Sequence, residues 1–254
     1  MSSLHHGSQS VCSVDDTYDL YAKKEFKSPH RSTIPLLSWL KHEETAVGKL
    51  LDEFGISRTC SLHLEYGVNC PLDNKPTSQT DLMVLSEITS LAIECKWTEP
   101  VKTTAEEWYD EVDEENGPLV LQGWLQLLQR VAEPTLLHAH FSQVVNQMIH
   151  RAASACLAGQ QPQLVYLIFR PSMFDFTTNK RVIRDELAHL WRVLGRPKDF
   201  PFSIVEIDIK YTSQYEPLAK LPKNSDETAA KVKEALLSSK RLFEFGKPMI
   251  ERLS

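Results

Sequence analysis

Asp81, Glu94 and Lys96 are the residues whose types and spacing could do chemistry. Side chains two apart in a strand share a face, so a strand over Leu91–Trp97 points Ala92, Glu94 and Lys96 one way and Leu91, Ile93, Cys95 and Trp97 the other. Thr80–Leu85 reads as the preceding strand, and the residues Ser86–Thr89 suit a hairpin between the two. If Leu85 pairs with Ser90, Asp81 falls opposite Glu94, and opposed residues have Cβ atoms about 4.5–5.5 Å apart. Two carboxylates that close repel each other unless something positive sits between them. A hard divalent cation, Mg²⁺ or Mn²⁺, meets that need with oxygen ligands: Asp81, Glu94 and the backbone carbonyl of Cys95. Lys96 beside the cation would hold or deprotonate a water, or stabilise charge on a phosphoryl transition state. The plain alternative is a solvated ion pair worth under about 1 kcal/mol. The run Leu91–Ile93 and the following Trp97 argue against it, because they mark a central strand.

The elements around the hairpin must position these groups. A helix is expected from Thr33, capped by Ser32 or Thr33 with Pro35 in its first turn, and ended by Gly55. Leu37, Leu40, Val47, Leu51 and Phe54 recur at steps of three and four, with one gap filled by Glu44. A glutamate on a core-facing position needs a partner, and Glu44 (or Glu43, nearly as well placed) could approach the cation from the helix side. Arg58–Val68 reads as a strand, and its Glu65 is a further candidate ligand. Asn69–Ser78 reads as a loop. Helices are expected over Leu119–Arg130, Phe141–Leu157 and Asn179–Leu194, and strands over Leu164–Phe169 and Phe202–Ile209. One or two helical stretches are expected in Glu227–Leu253. This order gives an α/β fold with a mixed sheet flanked by helices. It divides the chain into a loose polar arm over 1–32, a domain over 33–210 with an acidic loop at 102–116, and a helical C-terminal extension over 211–254.

Asp81, a short turn and then Glu94-Cys95-Lys96 resemble the D-x(n)-(D/E)-x-K signature of the PD-(D/E)XK nuclease superfamily. Thr80, not proline, precedes Asp81. The resemblance spans roughly Thr33 to Arg170. It implies a restriction-endonuclease-like core, in which a glutamate on the first helix precedes a strand meander and a helix bearing a glutamine or a basic residue follows it. Glu44 would supply the first. Gln147 and Arg151, four apart and so on one helix face, look like the second, and the resemblance implies that they position the attacking water or a phosphate of the nucleic acid. The resemblance implies a Mg²⁺-dependent nuclease acting on nucleic acid, DNA before RNA, and it leaves room for a homodimer. A second reading is a nuclease-fold protein that binds nucleic acid or a protein partner without cutting.

Bulk composition fits such a reading only in part. The net charge is −6, unfavourable for a polyanion binder. Seven acids between Lys102 and Asn116, set against one lysine, account for all of it, so the remainder is neutral and can carry a basic face. Lys180, Arg181 and Arg184 on the expected late helix are the candidate phosphate contacts. Five widely spaced cysteines without a CxxC pair argue against a zinc site and for reduced thiols. The first twenty residues lack an apolar core for a secretory signal, and no run is long enough to span a bilayer. The expectation is a cytoplasmic protein, or a nuclear one in a eukaryote, without a membrane partner.

Overall fold

The computed structural model describes residues 3–56, 59–72, 76–100, 103–111, 116–159, 161–171 and 177–253. Nine strands form one mixed sheet: β1 (Ser3–His6), β2 (Gln9–Val11), β3 (Ser61–Asn69), β4 (Pro76–Leu85), β5 (Thr89–Lys96), β6 (Gln161–Pro171), β7 (Phe202–Tyr211), β8 (Phe243–Phe245) and β9 (Met249–Arg252). The order is β2-β1-β3-β4-β5-β6-β7-β8, and β9 pairs with β7. β3, β4 and β5 form an antiparallel meander, whereas β5, β6 and β7 run parallel. The parallel strands need crossovers, and helices supply them: α3 (Ala105–Glu111), α4 (Asn116–Leu128) and α5 (Asn146–Ala158) between β5 and β6, and α6 (Thr177–Val193) between β6 and β7. α1 (Thr33–His42) and α2 (Glu44–Glu53) precede β3, while α7 (Glu216–Ala219) and α8 (Asp226–Leu237) follow β7.

Helices on both sides give the sheet two cores. One holds Ile34, Leu37 and Trp39 of α1 and Val232 and Leu236 of α8 against Leu91, Ile93 and Cys95 of β5 and Trp97 just after it. The other holds Trp124 of α4, Met148 and Ile149 of α5 and Leu187 of α6 against Met83, Ala92, Tyr166 and Ile168. β5 lies between them with every residue buried, as a central strand covered on both faces must be. The expected alternation of Leu91, Ile93, Cys95 and Trp97 on one face of β5 is what is observed.

Three expectations change. The single helix expected from Thr33 to Gly55 is two. Glu43, with φ −125° and ψ 38°, breaks it, and α2 starts afresh at Glu44. The apolar stripe had a gap there because each helix keeps its own phase. Glu44 sits exposed in the first turn of α2, where a carboxylate suits the positive end of the helix dipole.

Residues 3–32 are not a loose arm. β1 pairs parallel with β3, and Tyr18, Tyr21 and Phe26 are buried in the first core. Three aromatics spaced over one polar segment carry no helical or strand period, so only tertiary packing reveals them. The C-terminal segment also adds β8 and β9 to the edge of β7, beside its expected helix. All five cysteines are free thiols, and four of them are buried. Among the described residues no helix is long and apolar enough to cross a membrane.

Candidate functional site

The site begins with a break in two strands. Leu62 and Leu64 of β3 pack into the first core, but Tyr66 and Val68 pack against the second. Residues two apart in a regular strand share a face, so β3 must change face between Leu64 and Tyr66. Glu65 does this with a φ of 50°, which a non-glycine residue adopts only under constraint. The neighbouring strand turns with it: Leu82 and Val84 face the first core, whereas Ser78, of the same parity, meets Arg151 of α5.

The register through this kink is continuous. Leu64 pairs with Leu82 and Tyr66 with Thr80, which sets Glu65 level with Asp81. Leu85 pairs with Ser90 and Leu82 with Ile93, the register expected from the sequence, which carries Asp81 level with Glu94. Three acids therefore stand abreast on three adjacent strands. At Asp81 the β4–β5 ladder gives way, and the Asp81 carboxylate accepts the Cys95 N–H at 2.7 Å. An extended residue presents its N–H and C=O at the same edge, so the Cys95 carbonyl also faces the Asp81 side.

Amines and amides from β5 and α5 close on Glu94. Lys96 Nζ donates to Glu94 Oε1 at 2.8 Å and to Gln147 Oε1 at 2.9 Å. Gln147 Nε2 donates to Glu94 Oε1 at 2.6 Å. Arg151 Nε donates to Glu94 Oε2 at 2.5 Å, and its Nη1 donates to Ser78 Oγ at 2.6 Å. Gln147 and Arg151 reach the same carboxylate because they lie one turn apart on α5. Five sequence-selected residues, Asp81, Glu94, Lys96, Gln147 and Arg151, thus line one cavity of about 440 Å³.

Charge is unevenly held in this cavity. Burial alone would raise the Glu94 carboxyl, but Arg151 and Lys96 outweigh it, so Glu94 is held below its ordinary value and is charged. Asp81 is pushed well above the carboxylate range by burial and by the Glu94 charge. Glu65 is raised to about 7 by burial and by Glu25. Burial also opposes the charge on Lys96, but Glu94 and Asp81 outweigh it and keep the amine protonated. One carboxylate is therefore neutralised by fixed cations, and the two beside it resist ionising for want of another. Among the described residues no three His, Cys, Asp or Glu side chains are grouped closely enough to hold a metal ion together.

A family model described as a domain of unknown function, DUF6946, matches residues 10–199. The chain belongs to this family. The matched stretch contains every residue that lines the cavity, and it begins inside the segment expected to be an arm. Neither the curated proteins nor the solved structures gave a match.

Within the family's stretch the remaining candidates fall into three groups. Glu44 does not join the site: it is exposed on α2 and absent from the cavity wall, and Glu43 instead pairs with Arg241 and lines a separate cavity. Lys180 and Arg184 also stand outside the cavity. Lys180 pairs with Glu206 and Glu251 at 3.1 Å, and Arg184 pairs with Glu251 at 2.5 Å. Arg181 is exposed, with Asp185 at 3.8 Å, an i,i+4 contact on α6. These cations mostly secure α6 to the sheet edge and to β9. Arg151 is buried on Glu94 instead of lying on an open phosphate-binding face.

The third group had little signal in the sequence. Lys24, Glu25 and Arg31 reach the cavity from the N-terminal segment. Glu99 accepts the N–H groups of Ser32, Trp97 and Thr98 at 2.6–3.1 Å, which ties the start of α1 to the end of β5. His150 is buried in the wall between Trp108 and Trp124, and burial lowers its pKa to about 3, so the ring is neutral. Its Nε2, with the hydroxyls of Tyr21 and Tyr166, is buried without a hydrogen-bond partner among the described residues. His138 and His140 are exposed and lie outside the cavity.

Proposed function

We propose that the protein is a metal-dependent nuclease of the PD-(D/E)XK kind, with a restriction-endonuclease-like core formed by the β3–β5 meander, β6 and the helix α5. The carrying observation is that the β4–β5 register, which ends at Leu82–Ile93, leaves Asp81 level with Glu94 and accepting the Cys95 N–H, while Lys96 and Gln147 meet on the Glu94 carboxylate. A fold-level analogy would be too weak alone, because function resides in the site.

The donor set suits Mg²⁺ or Mn²⁺. Asp81, Glu94 and the Cys95 carbonyl are all oxygen donors, and Mg²⁺ typically takes only one or two carboxylates, completing its shell with water and phosphate. Asp81, which resists ionising next to charged Glu94, is the group that a divalent charge would relieve. Glu65 lines the same cavity level with Asp81 but stands outside the ligand set, since no three acids among the described residues are close enough to share an ion. When bound, the metal would neutralise phosphate charge and make a bound water more acidic.

The chain's own residues do the rest. Lys96 donates a hydrogen bond to the attacking water or to a non-bridging phosphate oxygen. Gln147, shared between Lys96 and Glu94, fixes the direction of the Lys96 amine. The water oxygen forms the new P–O bond as it gives up a proton, the ester P–O bond breaks, and the departing oxygen takes up one proton, so that the net transfer is from water to the leaving alcohol.

The test is hydrolysis of DNA and RNA with Mg²⁺ or Mn²⁺ by the full chain, beside Asp81→Ala and Lys96→Ala. Activity lost in both variants supports the reading, and equal activity in both removes it. One observation favours the non-cutting alternative: Lys96, Gln147 and Arg151 already occupy Glu94. That reading requires nucleic-acid or protein binding that is indifferent to divalent cations.

A further inference from the structure

We infer that the substrate enters this site as an unpaired strand, with duplex excluded. The inference rests on the nuclease reading above and specifies its substrate class.

Depth is the first observation. Glu94, Lys96 and Arg151 are 2, 6 and 8% exposed and line a cavity of about 440 Å³. That volume lies near the small end of the range for small-molecule pockets, about 300–1,000 Å³. A scissile phosphate must descend to Glu94 and Lys96, so its neighbours along the chain must bend away from it. A flexible single strand can do this at little cost. A duplex holds its phosphates on a stiff surface, with a persistence length of about 150 base pairs.

The walls are the second observation. One is the N-terminal segment, where Lys24 and Arg31 line the cavity. It is anchored by the Glu99 carboxylate on the Ser32 N–H. Another part of the wall comes from the segment that opens α3, where Thr103 and Trp108 line the cavity. Thr104 bridges Val145, and the Ala105 and Glu106 N–H groups donate to Val144 and Ser142, which lashes this segment to the start of α5. Both segments that contribute to the wall are therefore held by backbone tied into the fold.

Charge is the third. Glu106 and Glu107 of α3, just before the cavity-lining Trp108 in sequence, are exposed. Duplex DNA presents about one negative charge per 1.7 Å of axis and needs a run of phosphate-neutralising cations. Lys180 and Arg184, the cations that could have formed one, are paired with Glu251 and absent from the cavity wall. An unpaired strand needs fewer such contacts, because its bases can also bind by stacking on aromatic rings. Trp108 of α3 stands in the cavity wall and supplies an aromatic surface.

The experiment uses the full chain with Mn²⁺ and one labelled oligonucleotide, presented single-stranded and as a blunt duplex, with free nucleoside triphosphates as a third substrate. The expected result is single-strand cleavage at least tenfold faster than duplex cleavage. Glu106→Gln combined with Glu107→Gln should narrow that ratio by raising the duplex rate. Trp108→Ala should raise KM for the single strand, and Trp108→Phe should restore it. Duplex cleavage at an equal or greater rate overturns the inference and leaves the nuclease reading standing. Hydrolysis of triphosphates alone, or of nothing, overturns both.

Discussion

Replacing Arg151 with methionine separates two roles of that guanidinium. Arg151 Nε holds Glu94 at 2.5 Å and its Nη1 holds Ser78 at 2.6 Å, both out of contact with bulk water. Removing one partner of a buried ion pair typically costs about 3–5 kcal/mol, because the remaining charge keeps its desolvation penalty. Glu94 would still have Lys96 at 2.8 Å and Gln147 at 2.6 Å, so the lower end, about 3 kcal/mol, is expected. For a chain of this size about 1 kcal/mol moves Tm by about 2–4 °C, giving a fall of about 6–12 °C without metal. The same guanidinium competes with any cation for Glu94. Saturating Mn²⁺ should therefore raise the Tm of Arg151→Met more than that of the wild type, since ligand at a hundredfold Kd contributes about 2.7 kcal/mol. Thermal unfolding of both proteins, with and without Mn²⁺, measures both effects. A metal-free loss below about 1 kcal/mol would refute the buried-pair argument. An equal or smaller metal response in the variant would refute the competition.

Lys96→Met should abolish hydrolysis by at least a hundredfold while leaving Mn²⁺ stabilisation measurable by thermal shift; loss of the shift as well would place Lys96 in folding and not in catalysis. Asp81→Asn should remove the Mn²⁺ shift and the activity together, read by the same two assays. Glu44→Ala should change stability by no more than about 0.5 kcal/mol and leave cleavage unchanged, because the residue is exposed and does not line the cavity. His150 titrates near 6.5 when unfolded and near 3 when folded, so the unfolded state alone takes up its proton between those values. Its contribution is present above pH 6.5 and is lost as pH falls through that window, by about 1.4 kcal/mol per unit. Asp81 and Glu65, raised in the folded state, act in the opposite sense. The difference in urea stability between wild type and His150→Phe at pH 7 and pH 5 isolates the histidine, and a difference independent of pH would contradict its buried neutral state.

The β5 hairpin was legible because its information is local. A period of two placed Glu94 and Lys96 together, and a four-residue connection fixed the register that sets Asp81 level with Glu94. Gln147 and Arg151 were legible through the four-residue step on α5. The neighbours of that hairpin were not, and for one reason: their placement depends on chain segments distant in sequence. Tyr18, Tyr21 and Phe26 look like scattered aromatics until β1 pairs with β3. β8 and β9, three and four residues long, are too short to show alternation and exist only as partners for the edge of β7.

Glu44 and Glu65 show how sequence pattern and fold can rank two acids differently: Glu65 lines the cavity and Glu44 does not. Glu44 stood out because it interrupted a stripe, yet an interruption is equally the mark of a helix boundary, and Glu43 is that boundary. Glu65 was a further candidate with little to set it apart, since a polar residue in an alternating strand is ordinary. Its distinction is conformational: a φ of 50° in the middle of β3, which reverses the faces of Leu64 and Tyr66 without disturbing the register. A residue in that region costs of order 1–3 kcal/mol and persists only where its surroundings enforce it. Here the surroundings are two cores, one on each side of the sheet, that demand Leu64 and Tyr66 on opposite faces. The kink that satisfies them also brings a third acid level with Asp81 and Glu94, so the packing of β3 and the composition of the cavity are one structural fact.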